Sequence, residues 1–123
     1  MDIPYSSDVM KGMRAIVCGA SKGIGRATAE MFASCGAEVI GLSRSAPEIP
    51  GVESVKIDLE KEDEIQLIIS KILDVGPVHI LVNNAGGPPG GPLLSNDSQA
   101  FDAPFKRHLF AAHSITRMVV PSM

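Results

Sequence analysis

Apolar residues in this chain fall into short continuous runs separated by stretches with helical spacing. Ala15-Ile16-Val17-Cys18 is uninterrupted and ends at Gly19, the pattern of a strand covered on both faces. Ile24, Ala27, Met31, Phe32 and Cys35 then keep helical spacing until Gly36 supplies a stop. Val39-Ile40-Gly41-Leu42 reads as a second buried strand, and Ala46–Gly51, with two prolines, as a connection too short for a good helix. Val52–Leu59 reads as the third strand. Between Glu62 and Leu73, the residues Ile65, Ile68, Ile69, Ile72 and Leu73 repeat at i, i+3, i+4, i+7 and i+8 with charges opposite, the clearest helix in the chain. Gly76-Pro77 ends it, and Val78–Val82 is a fourth strand running into Asn83-Asn84-Ala85-Gly86. Gly87–Pro92 is expected to be a flexible or turn-rich crossing. Phe101, Phe105, Leu109, Ala112, Ile115 and Val119 trace one face of a last helix that Pro121 stops. Pro104 belongs in its first turn or at a kink, because a mid-helix proline costs about 3 kcal/mol.

Strands separated by helical segments return parallel only through right-handed crossovers, so the order β-α-β-β-α-β-α predicts a sheet ordered 3-2-1-4. That is a three-layer α/β architecture, half of a doubly wound parallel sheet. The chain changes direction across the sheet between strands 1 and 4, and a crevice opens beyond the strand ends at such a point. A ligand is expected there.

Composition narrows the kind of ligand. With 123 residues, 45% apolar and 20% charged, the chain can build one core but not two, and it is not disordered. Residues 1–123 are therefore read as a single domain. The net charge of −3, with Lys and Arg scattered singly, forms no basic stripe. Nucleic acid and anionic membrane surfaces are thus not the expected partners, and a small molecule is. Cys18 and Cys35 sit in apolar segments without metal-ligand spacing and read as small buried hydrophobes in a reducing compartment. No apolar run approaches the ~20 residues that span a bilayer, and Met1-Asp2-Ile3-Pro4 lacks an export pattern. A cytoplasmic protein is expected.

Gly19-Ala20-Ser21-Lys22-Gly23-Ile24-Gly25 lies between a buried strand and a helix, the context a phosphate-binding turn requires. Gly19 permits the tight turn, Gly23 lets backbone approach a pyrophosphate, and Gly25 allows the helix to pack closely on the strand. The helix start offers free N–H groups and a partial positive charge to an anion. A glycine-rich turn without a ligand is the alternative. No Gly-Lys-Ser/Thr follows at the distance a kinase-type phosphate loop needs.

The Gly-x-x-x-Gly-x-Gly spacing resembles the short-chain dehydrogenase/reductase family. The resemblance extends through Asp58-Leu59, similar to the family's adenine contact, to Asn83-Asn84-Ala85-Gly86, similar to its strand-4 signature. It covers the amino-terminal half of that family and is nearest to its 3-oxoacyl-carrier-protein reductase-like members. It implies an oxidoreductase that moves hydride reversibly between a nicotinamide dinucleotide and a ketone or alcohol, on a Rossmann-type fold that is here incomplete. Cys18 departs from the family's usual Thr, losing a hydroxyl but keeping the size.

The resemblance implies cofactor-binding roles for Gly19, Ser21, Lys22, Gly23, Ile24, Gly25, Ser43, Arg44, Asp58, Leu59, Asn84, Ala85 and Gly86. Asp58 closes strand three, where its carboxylate can accept from the adenine amino group or cap the following helix. Asn83 and Asn84 bridge strand ends and ribose, or form only a turn. The 2′-phosphate of NADP is a dianion where NAD has a hydroxyl, so charge at the end of strand two decides between them. Ser43-Arg44 stands there, with Lys22 in the glycine turn, and each charge-assisted hydrogen bond contributes ~1.5–3 kcal/mol. NADP is expected over NAD, unless Arg44 is only a solvated surface charge.

The same resemblance implies a Tyr with Lys four residues on, aided by Ser, as proton donor to the developing alkoxide. The only tyrosine is Tyr5, followed four residues later by Val9, so no catalytic residue is assigned. His108 takes the place of an Asn of the family's last helix, either to relay a proton or as an ordinary packed or exposed side chain. His79, His108 and His113 do not make a metal cluster, and no metal is expected. Phe105, Leu109, Phe110, Ile115, Met118 and Val119 give the last helix more apolar surface than the sheet would cover, suited to a homo-oligomer contact, to covering the edge of strand four, or to standing unpaired in an incomplete chain. Three readings follow: an amino-terminal piece of an NADP-dependent oxidoreductase that is inactive alone, a catalytically dead nucleotide-binding sensor or partner subunit, or a pseudogene product with no function.

Overall fold

Side chains of successive strand residues point to opposite faces, and in the first two strands both sets are apolar. The computed structural model describes residues 4–86 and 90–123. In β1 (Arg14–Cys18) and β2 (Glu38–Ser43), Ile16, Cys18, Ile40 and Leu42 face one side, while Val17 and Val39 face the other. Each face takes its own helical layer. α1 (Gly23–Ser34) covers the second side through Ala29, Phe32 and Ala33. On the first side lie α2 (Glu62–Val75), through Ile65, Ile69 and Ile72, and the terminal helix α4 (Ala111–Val119), through Ala111, Ile115 and Val119.

β3 (Val52–Lys56) and β4 (Ile80–Val82) complete a parallel four-stranded sheet in the order β3-β2-β1-β4. The predicted order and layering are both present. Between β2 and β3 there is no helix; Ile49, 3% exposed, buries itself from the connecting turn.

Four details differ from the periodicity. The third strand ends at Lys56 rather than Leu59, because the Asp58 carboxylate accepts from the Glu60 N–H at 2.9 Å and turns the chain. The fourth begins at Ile80 rather than Val78, whose N–H donates to the Ser122 hydroxyl at 3.2 Å instead of to a strand. The buried stripe of α1 runs through Gly25 and Ala29, while Ile24 is 81% exposed. Small residues bring this helix close to the sheet, and Ile24 is left at its outer lip.

The last helix is three pieces: a single turn α3 (Asp102–Phe105), a π turn at Lys106–Phe110, and α4. Pro104 does stand in the first turn. The wide turn breaks the regular period, so Pro104, Ala111, Ile115 and Val119 are buried whereas Phe105, Leu109 and Phe110 are more than half exposed. The predicted crossing at Gly87–Pro92 falls partly outside the described residues, at 87–89.

One buried cation, legible only in three dimensions, fastens the layers. Arg14, 8% exposed, donates through Nη1 to the carbonyls of Ile72 (2.9 Å) and Gly76 (2.7 Å), and its Nε pairs with Glu38 at 3.1 Å. The orphan carbonyls at the end of α2 thereby gain a charged donor.

Candidate cofactor-binding site

At the carboxyl ends of the strands the glycine turn opens into a cavity of about 430 Å³. Gly19 holds φ at +63°, and a Cβ there would lie 2.5 Å from the Asn84 side chain. A Cβ on Gly25 would strike the Gly19 carbonyl oxygen at 2.1 Å, so the helix can start this close to the strand only without one. Nothing stands within 4 Å of a Cβ built on Gly23, which faces open space. Lys22 precedes the first helical residue in extended backbone, and the helix start that Gly23 and Ile24 bring to the cavity carries no side-chain cap.

The loop after β4 is tied to this turn. Asn84 Nδ2 donates toward the carbonyls of Cys18 and Gly19, both at 3.4 Å, and Asn83 turns the other way to donate to Thr116 Oγ1 at 3.3 Å. Burial pushes the Cys18 thiol up to about 12, although a hydrogen bond from the Asn84 backbone pulls in the other direction. Cys18 is thus a neutral filler at neutral pH. It stands below the turn, not in it.

Of the residues expected to bind a cofactor, Gly19, Ser21, Lys22, Gly23, Ile24, Ser43, Arg44, Leu59, Asn84, Ala85 and Gly86 line one cavity. Gly25 and Asp58 do not. Gly25 is buried beneath the turn and shapes it from behind, and the Asp58 carboxylate is engaged by the Glu60 N–H while the Asp58 N–H donates to Glu64. Leu42, Ile57 and Arg107 also line the cavity and escape the sequence reading. Leu42 and Ile57 close β2 and follow β3, next to predicted residues, so strand-end position was their signal. Arg107 had none, since only the π turn aims it there.

Arg107 crosses the site. Its Nη1 pairs with Glu60 at 3.0 Å, and its Nε and Nη2 lie 3.3 and 3.2 Å from the carbonyl oxygen of Gly86. Nε2 of His108 stands 2.9 Å from that same oxygen. Arg44 and Lys22 are exposed at the cavity, with no ion-pair partner among the described residues. Among those residues no group of three or more His, Cys, Asp or Glu side chains converges as a metal site, and no helix is long and apolar enough to cross a membrane.

A shaped glycine turn, an open helix start and two cations with no ion-pair partner among the described residues thus border one cavity. The chain is 37% identical over 121 residues to L-xylulose reductase of Mesocricetus auratus, covering 93% of this chain and 48% of that protein. It is 34% identical over 119 residues to carbonyl reductase [NADPH] 2 of Sus scrofa, covering 91% and 48%. A metagenomic short-chain oxidoreductase solved in complex with NADP superposes with a TM-score of 0.79 at 32% identity, over 93% of this chain and 57% of that one. The chain thus spans about half the length of the curated relatives it matches. The model of the short chain dehydrogenase family matches residues 13–123, and to that family this chain belongs.

Proposed function

We propose that the cavity binds NADP(H), and that this chain is the dinucleotide-binding part of an oxidoreductase acting on a ketone or alcohol. One observation carries the reading. The glycine turn, the uncapped start of α1 and the two cations Lys22 and Arg44 surround the same space. The N–H groups of the first turn, with Gly23 leaving room, would hold the diphosphate. Arg44 and Ser43, at the end of β2, would receive the 2′-phosphate. Leu42, Ile57 and Leu59 offer apolar surface to the adenine, while Asn84, Ala85 and Gly86 border the ribose. Bound there, the cofactor supplies or accepts the hydride.

The chain's own part is binding and orientation. The proton donor that the family resemblance implies, Tyr with Lys four residues on, has no counterpart among these residues, and turnover by this chain alone is not expected. A cytoplasmic setting and self-association through the exposed Phe105, Leu109 and Phe110 belong to the same proposal. Titrating the chain with NADPH and NADH by nicotinamide fluorescence tests it. Preference for NADPH that disappears in Arg44→Ala supports the 2′-phosphate site, whereas equal weakening of both cofactors removes it.

A further inference from the structure

Arg107 reaches the cavity from an element that carries none of the phosphate-facing groups, and its bonds point away from a phosphate role. All three nitrogens of its guanidinium are engaged: Nη1 by the Glu60 carboxylate at 3.0 Å, Nε and Nη2 by the Gly86 carbonyl at 3.3 and 3.2 Å. The side chain is 17% exposed. A guanidinium held by hydrogen bonds in its own plane is fixed edge-on to its partners, and what it can turn toward a cavity is its flat face. Its charge is partly offset by Glu60, unlike the charges of Lys22 and Arg44. The same cavity carries apolar surface from Leu42, Ile57 and Leu59, at the ends of the strands beside Glu60.

We infer that the face of the Arg107 guanidinium, held by Glu60 and the Gly86 carbonyl, is a stacking platform for the adenine ring of the bound dinucleotide, opposite the apolar wall at Leu59. This rests on the cavity being the dinucleotide site. A planar cation on an aromatic face contributes through the ring's charge distribution as well as by contact, and it does so without reading the base edge. Arg107 is thus a specificity-determining residue for a ligand that has a base, not for one that has only phosphates.

The test is isothermal titration of the 123-residue chain with two probes, adenosine 2′,5′-bisphosphate and inorganic pyrophosphate, with thermal melting of each variant as a fold control. R107M is expected to weaken the adenosine probe by roughly tenfold and to leave pyrophosphate unchanged. R107K, which keeps the charge and loses the plane, is expected to stay well below wild type. Loss of pyrophosphate binding in R107M, or full recovery in R107K, overturns the inference in favour of a phosphate ligand. Equal loss of both probes with a lowered melting temperature overturns it in favour of a structural strap. If R107M does not fold, E60A serves: it removes the acceptor that holds Nη1, so the plane is no longer fixed and the adenosine probe weakens more than pyrophosphate does, and an adenosine probe that binds as to wild type overturns the inference. Wild-type chain that binds neither probe contradicts the dinucleotide site itself, an outcome distinct from these.

Discussion

The side-chain amide of Asn84 lies 3.4 Å from the carbonyl oxygen of Gly19, so the end of the fourth strand holds the glycine turn that follows the first. These two positions flank the place where the chain reverses its direction across the sheet. Asn84→Ala is expected to remove this tie, costing about 1 kcal/mol of stability and several-fold in NADPH affinity. Chemical denaturation paired with titration checks both. A stability loss with unchanged affinity would separate the tie from the site.

Glycine at 25 is required by contact and at 23 by space. Gly25→Ala drives its new Cβ into the Gly19 carbonyl, 2.1 Å away, so either the helix start or the turn must move. We expect roughly 1–3 kcal/mol of destabilisation together with lost binding. Gly23→Ala meets nothing within 4 Å but holds φ at +61° and projects into the cavity. It should cost about 1 kcal/mol in backbone strain and act mainly on affinity. Melting temperatures and titrations of the two variants should therefore diverge.

Cys18 makes stability fall in alkali. Its thiol, pushed up to about 12 by burial, stays protonated in the fold after the unfolded chain has lost its proton. A group whose folded pKa is raised stabilises fully below its unfolded value, and that contribution drains away as pH rises through the folded one. Between about pH 9 and 12 the slope should be close to 1.4 kcal/mol per pH unit for this one group. Cys18→Ala should remove that component from a denaturation series over the same range. The native thiol should also resist alkylation at neutral pH until the chain unfolds.

At the acid end the sign reverses for Glu62. Hydrogen bonds from Ser114 and Gln66 hold its carboxyl below that of an ordinary glutamate. Its contribution is present above the unfolded pKa and is lost as pH falls through the folded one. Ser114→Ala should move the Glu62 midpoint upward in an NMR titration, with a small stability change because the pair is exposed. An unmoved midpoint would show that Ser114 does not set it.

The layering and most of the cavity were legible because they follow from local pattern. Continuous apolar runs marked β1 and β2, the i, i+3, i+4 repeat of Ile65, Ile69 and Ile72 marked α2, and Gly19, Gly23 and Gly25 marked the turn. What escaped depends on distance in sequence or on irregular backbone. Arg14 meets Ile72 and Gly76 only once β1 and α2 are packed. Arg107 faces the cavity only because of the π turn at Lys106–Phe110, which also moved Phe105 and Leu109 off the buried face. Ile24 counts as core by hydrophobicity and period, yet it lies 81% exposed at the cavity lip, where a ligand rather than the sheet would cover it.

The most direct measurement is a crystal structure of the chain grown with NADPH. Diphosphate density is expected against the N–H groups of Gly23 and Ile24, with the 2′-phosphate beside Arg44. Ligand bound elsewhere, or this crevice closed while NADPH is present at saturating concentration, contradicts it.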